Sequence, residues 1–329
     1  MNASKKKITY VIHYRNRKEN LVKTLNSILE QDIHHIYYDV LILDDCSEDQ
    51  GRLHIEKYIE KHRLVNFTII SFKNHLGFAN LFNFVNKSNQ IKSEYVTFLK
   101  SGDLLAKDWM KHFLAHLYPL KQDMYLHRAK VNYVDFQIHS GNSYAHSPKK
   151  VVKRKKKLIG SQFKSGKLSQ NDATSTLHFF FGKIFRFETI KNINVFTEKI
   201  LYQELYIYQK IISASQTFYY DKFIAGQTRF SPISRVKMDA ERIKLFCATI
   251  DLMVDHKKPI LNGWLIKMIT IALHQSAKED HYNYQLNSYK NLANFQLKSI
   301  PGLPIFGFLV KKATKELLET GKAAKSINE

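Results

Sequence analysis

The segment ITYVIHYRNR, at residues 8–17, decides the fold class. It opens with a short run rich in β-branched residues, which is typical of a buried strand. Apolar side chains at helical spacing follow at residues 20–30. The alternation then recurs, with strands predicted at 38–43, 67–72 and 95–99 and helices at 53–62, 78–85 and 109–117. Strand–helix alternation with short connections predicts parallel strands joined by right-handed crossovers, hence an α/β fold with a mostly parallel sheet flanked by helices.

Polar residues follow each predicted strand. In open α/β sheets, ligands bind beyond the carboxyl ends of the strands. The candidate binding residues therefore lie in four short segments, at 13–17, 44–49, 73–77 and 100–103.

The charge of the chain is far from balanced. The 329 residues include 51 Lys and Arg against 29 Asp and Glu, a net charge of +22, which favours a polyanionic partner such as nucleic acid, anionic lipid or an anionic polymer. Two cysteines, Cys46 and Cys247, exclude a disulfide scaffold and a Cys-rich zinc module. No stretch approaches the roughly 18 apolar residues of a membrane-spanning helix. We expect a cytoplasmic protein, with peripheral attachment to the inner face of the cell membrane as an alternative.

Four segments together resemble glycosyltransferase family 2, which has the GT-A fold. Residues 11–17 resemble its opening strand and loop, and LILDDCSED at 41–49 is similar to its Val-Asp-Asp-Gly-Ser-x-Asp segment. NHLGFANLFN at 74–83 resembles Asn-x-Gly…Ala-x-Asn, and YVTFLKSGD at 95–103 occupies the place of Tyr-Ile-x-Phe-Leu-Asp-x-Asp-Asp. The resemblance covers roughly the first third of the chain and implies a Rossmann-like nucleotide-sugar-binding domain.

The resemblance implies a set of donor-binding residues. A carboxylate at Asp44 or Asp45 could accept hydrogen bonds from uracil or ribose, and Tyr14 could stack on the base or wall it in. Arg15 and Arg17 could meet phosphate oxygens with a planar fork, and His13 belongs to the same segment. In the alternative interpretation, Asp44 and Asp45 cap the following helix, and the two arginines only solvate a loop.

The fourth segment departs from the family pattern. The family's Asp-x-Asp holds a divalent ion, Mn²⁺ or Mg²⁺, that bridges the donor diphosphate. Here those positions are Lys100 and Gly102, and only Asp103 remains as a metal ligand. Either Lys100 supplies positive charge, with catalysis independent of metal or assisted through Asp103 alone, or catalysis is lost and binding retained. Asp103 could also cap the helix that follows it.

Later segments continue the resemblance. GKIFR at 182–186 is similar to a segment of bacterial cell-wall-polymer and capsule glycosyltransferases. YQELY at 202–206 occupies the place of the family's acidic pair, so Glu204 is the implied general base. Alternatively, Glu204 is a solvated helix residue paired with Lys199 or Lys210.

A loop near residue 230 completes the candidate site. TRFSPISR at 228–235 resembles the family's Arg-x-x-Ser-Ile-Ser-Arg loop, and Arg229 or Arg235 could close over the diphosphate.

We expect a GT-A domain at 1–230 and a helical C-terminal region at 231–329. A basic loop at 141–171 contains the basic run 149–157, which could contact an anionic acceptor or lipid head groups, or simply be a solvated loop. The pattern at 304–320 predicts an amphipathic helix, which could lie on a membrane, on the rest of the protein or on a second subunit.

These observations favour an inverting glycosyltransferase. The donor would be a nucleotide-sugar, with a UDP-sugar as the favoured form. The acceptor would be a cell-envelope polysaccharide, a teichoic-acid-like polymer or a glycoprotein. The alternative is a catalytically inactive GT-A-like subunit of an envelope-glycan assembly system. Specific nucleic-acid binding is not expected, because no helix-turn-helix, zinc finger or aromatic RNA-binding motif accompanies the charge.

Overall fold

The computed structural model describes residues 6–34, 37–133, 157–159, 163–175, 180–195 and 203–230. The predicted helical region 231–329, Arg235 and residues 149–156 of the basic run lie outside the described residues. The described chain falls into a larger unit, which holds all the strands named below, and a smaller unit, of which only residues 203–206 are described.

The first half of the chain alternates strands and helices as predicted. The strands are β1 (Ile8–Tyr14), β2 (Tyr38–Asp44), β3 (Phe67–Ser71) and β4 (Tyr95–Lys100). The helices between them are α1 (Lys18–Leu29), α2 (Gly51–Lys61) and α3 (Gly77–Lys87). β1 pairs in parallel with β2 and β4, and β2 pairs in parallel with β3. The carboxyl ends of these strands therefore meet at one edge.

The second half extends the same sheet with mixed directions. After β5 (Leu104–Leu105) and α4 (Trp109–His112) come β6 (Met124–Tyr133), β7 (Lys157–Ile159), β8 (Gly166–Leu168), α5 (Gln170–Ser175), β9 (Lys183–Arg186), α6 (Phe187–Ile190), α7 (Gln203–Ala214) and β10 (Phe218–Phe230). The strand order is β3-β2-β1-β4-β9-β6-β10-β5, with β7 beside β6 and β8 beside β10. β9 is antiparallel to both its neighbours, while β10 runs parallel to β6. The α/β sheet flanked by helices is confirmed.

Aromatic side chains fill the space between the sheet and α3. Phe78 and Phe82 of α3 pack against Phe98 of β4, with ring centroids 6.1 and 5.6 Å away. Phe180, just before β9, contacts Phe98 at 5.2 Å and Phe185 at 5.5 Å. This packing joins the predicted nucleotide-binding half of the sheet to its later strands.

The second half differs from the sequence-based prediction in three places. β6, a ten-residue strand, was not predicted, because His127, Arg128 and Lys130 interrupt its apolar pattern. The segment 141–171, expected to be a loop, contains β7 and β8 in its described part. The helix predicted at 109–117 is present, but its second half, Phe113–Leu117, has π-helical hydrogen bonding. Among the described residues, no helix is long and apolar enough to cross a membrane.

Candidate functional site

The loops that follow β1 and β2 are joined by hydrogen bonds. The backbone N–H of Asn16 donates to Ser47 Oγ at 2.9 Å, and Asn16 Oδ1 accepts from the N–H of Glu48 at 2.8 Å. Asn16 and Arg17 both have left-handed backbone conformations, with φ of 53° and 63°. This turn directs the chain from β1 into α1 and fixes the side chains of the first loop against the second.

Tyr14 and Asp49 form the base of this junction. The Tyr14 hydroxyl donates to Asp49 Oδ1 at 2.5 Å, and the other carboxylate oxygen accepts from the N–H of Lys18 at 2.9 Å. Burial, together with the bond to Asp49, raises the pKa of Tyr14 well above its usual value. Tyr14 is fully buried. Stacking of the Tyr14 ring on a base does not fit this conformation, because the ring is buried, whereas the alternative that Tyr14 walls in the base stays a prediction.

Asp45 is a buried carboxylate with four neighbouring donors. Its oxygens accept from the N–H groups of Leu76 at 2.7 Å and Gly77 at 3.2 Å, and they lie 3.2 Å from His13 Nε2 and 2.8 Å from His75 Nδ1. Burial alone would raise the pKa of Asp45, but the hydrogen bonds from His13 and Leu76 outweigh it and lower that pKa to about 2. Asp45 thus stays ionised and holds the start of α3.

The two adjacent aspartates have roles that neither interpretation of the sequence predicted. Asp44 is buried, with Oδ1 accepting from the N–H of Ser47 at 3.0 Å and Oδ2 accepting from Ser71 Oγ at 3.0 Å. A direct nucleotide contact does not fit Asp44 or Asp45, because their oxygens are engaged by the protein and the Asp45 side chain is 0% exposed. Neither caps α2, whose N-cap, Gln50, forms no side-chain cap bond.

The residues that remain accessible at this edge are largely cationic or aromatic. His13 is 21% exposed, and its ring lies 5.9 Å from that of Phe78. His75, which sequence reasoning missed, is 46% exposed; its place in the 73–77 segment after β3 was the available signal. Arg15, Arg17 and Lys100 are each half-buried. Lys100 is the register partner of His13 across β4 and β1, so their side chains start from neighbouring positions.

Asp103 does not fit the predicted metal ligand. It is buried; Oδ2 accepts from the N–H of Lys100 at 2.8 Å, and Oδ1 accepts from the Thr228 hydroxyl at 2.5 Å. Both oxygens are thus committed to closing the turn after β4 and fastening β10 to it. No group of three His, Cys, Asp or Glu side chains suited to a metal ion occurs among the described residues. Asp103 does not cap the helix that begins at Trp109 either, because the N-cap residue of that helix is Asp108.

The turn after β4 is hydrogen-bonded both to the middle of α1 and to β10. The N–H of Gly102 donates to Thr24 Oγ1 of α1 at 2.8 Å, while neighbouring Asp103 binds Thr228 of β10. Arg17 directly precedes α1, and Arg229 directly follows Thr228 in β10. Burial, and then repulsion from Arg229, lowers the pKa of Arg17.

Two predicted site residues lie outside the described part of the larger unit. Glu204 is half-buried in the first turn of α7 and belongs to the smaller unit, which is described by itself. Arg235 lies outside the described residues. Their assigned roles stay predictions.

A groove of about 740 Å³ lies between α1, β5 and the irregular part of β10. Its walls combine cationic, anionic, polar and apolar side chains. Its principal side chains are Lys23, Asn26, Glu30, Lys130, Phe223 and Gln227. No sequence pattern predicts this groove, because its walls come from segments about 100 positions apart.

Comparisons with known proteins agree on the family. The profile described as Glycosyl transferase family 2 matches residues 9–188. An "Uncharacterized glycosyltransferase MG025 homolog" of Mycoplasma pneumoniae is 24% identical over 64% of this chain and 64% of its own length. The poly(ribitol-phosphate) beta-N-acetylglucosaminyltransferase TarS of Staphylococcus aureus is 27% identical over 38% of this chain, and the match spans only 21% of TarS.

Solved structures show the same fold. Residues 1–349 of S. aureus TarS in complex with UDP-GlcNAc match with a TM-score of 0.60 at 15% identity, covering 97% of this chain and 92% of that chain. The mannosyltransferase PcManGT from Pyrobaculum calidifontis, in complex with GDP-Man and Mn²⁺, matches with a TM-score of 0.51 at 14% identity, covering 97% of this chain and 88% of that chain. At these identities the likeness establishes the GT-A fold alone.

Proposed function

Because the chain belongs to glycosyltransferase family 2, we propose that it transfers a sugar from a UDP-sugar to a hydroxyl group of a cell-envelope polymer. One observation carries the proposal: hydrogen bonds join the loops after β1 and β2, and β4 ends beside them with a cationic side chain. In α/β sheets this edge is where nucleotides bind. A rigid, positively charged edge suits a nucleoside diphosphate.

The donor would be held mainly by cations. Arg17 and Arg229 would bind the diphosphate, because a guanidinium can bind two phosphate oxygens at once. His13 and His75, both oriented by the ionised Asp45, line the route from the diphosphate toward the base. The choice of uridine as the base is supported by the UDP-GlcNAc complex of S. aureus TarS, which has the same fold.

The acceptor would be an anionic, phosphate-containing polymer. The net charge of +22 favours a polyanion. The name of the TarS relative, which acts on poly(ribitol-phosphate), supports an acceptor of this class. The basic run 149–157 would add contacts to such a polymer or to anionic lipid at the inner face of the membrane.

Transfer would proceed with inversion. The acceptor oxygen forms a bond to the anomeric carbon while the bond from that carbon to the diphosphate oxygen breaks, and its electron pair leaves with UDP. The hydroxyl proton passes to a carboxylate base, for which Glu204 is the candidate. General-base catalysis of this kind contributes about 10²- to 10⁴-fold to the rate.

Release of UDP tests the proposal. The full chain would be incubated with UDP-GlcNAc or other UDP-sugars, with and without poly(ribitol phosphate), and free UDP would be measured. We expect release that depends on acceptor. Glu204→Gln should lower kcat about 100-fold or more, whereas the control Glu188→Gln, an exposed carboxylate paired with Lys191, should not. No UDP release and no UDP binding under any condition would refute the proposal.

A catalytically inactive binding subunit is the second candidate. It is favoured by Lys100 and Gly102 at the family's metal-ligand positions and by the engagement of both Asp103 oxygens. This candidate predicts UDP binding without turnover, and Glu204→Gln would then leave every measured property unchanged.

A further inference from the structure

The groove between α1, β5 and β10 shares a structural support with the donor edge, the edge at which β1, β2 and β4 end. Leu104, one of its lining residues, directly follows Asp103 in the turn after β4. Gln227, another, directly precedes Thr228, whose hydroxyl binds Asp103. Leu104 and Gln227 are also register partners across β5 and β10. One turn therefore fixes both the end of β4 and part of the groove wall.

Irregular pairing of β10 shapes the groove. The register between β10 and β6 shifts between Asp221 and Ile224, and again between Ile224 and Gln227. Irregularities of this kind interrupt the ladder and redirect side chains, and they are common next to binding sites. The groove measures about 740 Å³, within the range of roughly 300–1,000 Å³ that is usual for ligand sites. The groove is therefore large enough to hold a short stretch of a polymer.

A largely buried aspartate fixes the aromatic part of the groove wall. Asp221 Oδ2 lies 2.5 Å from His112 Nε2, and Asp221 Oδ1 accepts from the backbone N–H of Phe223 at 3.3 Å. The Phe223 ring stacks on the His112 ring, with centroids 4.4 Å apart and planes at 14°. Both the backbone and the ring of Phe223 are thus held, and Phe223 lines the groove. A fixed aromatic ring offers an apolar surface on which the C–H groups of a sugar or polyol can pack.

The polar side chains of the groove suit a ligand that carries both phosphates and hydroxyls. Lys23 and Lys130 are exposed, and neither forms an ion pair within the described part of the chain. An ammonium group binds phosphate as a point charge. Glu30 and Gln227, on the same walls, can accept hydrogen bonds from hydroxyl groups. Two cations against one carboxylate favour an anionic ligand over a neutral one.

We propose that this groove holds the acceptor, a polyol-phosphate or sugar-phosphate chain, with its phosphates at Lys23 and Lys130 and its C–H groups against Phe223. The inference rests on the proposed function and names where the acceptor is bound. The groove is distinct from the acceptor contacts expected from the sequence, because neither the basic run 149–157 nor Glu204 lines it.

Calorimetric titration of the full chain with poly(ribitol phosphate) and with inorganic polyphosphate tests the groove. The double variant Lys23→Gln/Lys130→Gln should weaken binding of both polymers about 10-fold. Phe223→Leu should weaken binding of poly(ribitol phosphate) about 3- to 10-fold and leave the Kd for polyphosphate unchanged, because polyphosphate has no C–H groups to pack on the ring. Thermal midpoints from circular dichroism verify that the variants are folded.

Lys61→Gln/Lys87→Gln is the matched control, since these exposed lysines in the last turns of α2 and α3 give the same charge change outside the groove. The groove is refuted if its lysine variant loses no more affinity than this control, or if Phe223→Leu weakens both polymers equally. The proposed transfer then survives, because UDP release measures it separately. A wild type that binds neither polymer would refute the groove and the anionic acceptor together, and UDP release from UDP-GlcNAc would still decide the donor function.

Discussion

Replacing Asp45 with asparagine removes the charge on which the donor edge is assembled. In the protein this carboxylate accepts from Leu76 and Gly77 and contacts His13 and His75. Asparagine keeps one acceptor oxygen, but it turns an N–H₂ group toward at least one donor and leaves that donor unsatisfied. We therefore expect Asp45→Asn to destabilise the fold and to loosen the loop between β3 and α3.

The size of the effect follows from the pKa. A fall from 3.8 to about 2 corresponds to about 2.5 kcal/mol of stabilisation of the charged form. Solvent screening at the half-exposed His75 reduces this value, so we expect a loss of about 2 kcal/mol at pH 7. Because the pKa is lowered in the folded state, the stabilisation is complete above about pH 5, falls to about half near pH 3 and disappears below about pH 2.

Urea unfolding followed by circular dichroism measures this difference. The wild type and Asp45→Asn would be compared at pH 7 and at pH 3, with Asp32→Asn as the control, since Asp32 is an exposed carboxylate paired with Lys111. The reasoning is refuted if Asp45→Asn costs less than about 0.5 kcal/mol at pH 7, a surface-substitution value. A difference that is equally large at pH 3 would also refute it, because the effect would then not come from the charge.

Two further substitutions test the packing around the site. Gly226 has φ of +143°, and a Cβ there would lie 2.0 Å from the Leu104 carbonyl oxygen, whereas Gly166 has φ of +150° and open space. Gly226→Ala should therefore lower the thermal midpoint by several degrees more than Gly166→Ala, and equal shifts would contradict the clash. Asn83 exchanges two hydrogen bonds with the backbone of Val195, at 2.8 and 2.9 Å. Asn83→Ala should cost about 2 kcal/mol in urea unfolding, and a cost below about 0.5 kcal/mol would show that the pair is dispensable.

The sequence was most informative where elements are local. The β-branched run of β1 and the helical spacing of α1 each predict their own structure, and parallel pairing then places the strand ends at one edge. The bounds of the first four strands were accordingly predicted to within two residues. β6 was missed, although its buried Ala129 and Val131 alternate with Arg128 and Lys130, a period-two pattern that could have indicated it.

The functions of individual carboxylates were harder to predict, because they depend on contacts distant in sequence. Asp45 was expected to contact the nucleotide, yet it contacts His13 of β1 and three residues around the start of α3, His75, Leu76 and Gly77. Asp103 was expected to bind metal, but a residue 125 positions away, Thr228, takes one of its oxygens. A sequence pattern shows which residue types follow a strand, whereas the fold determines which of them remain available to a ligand.

A crystal structure of the full chain with UDP bound tests the central claim most directly. We expect the diphosphate to contact Arg17 and Arg229, with the uridine against the joined loops at 13–17 and 44–49. UDP bound at another face, such as the groove lined by Lys23 and Lys130, would contradict the claim that this sheet edge is the donor site.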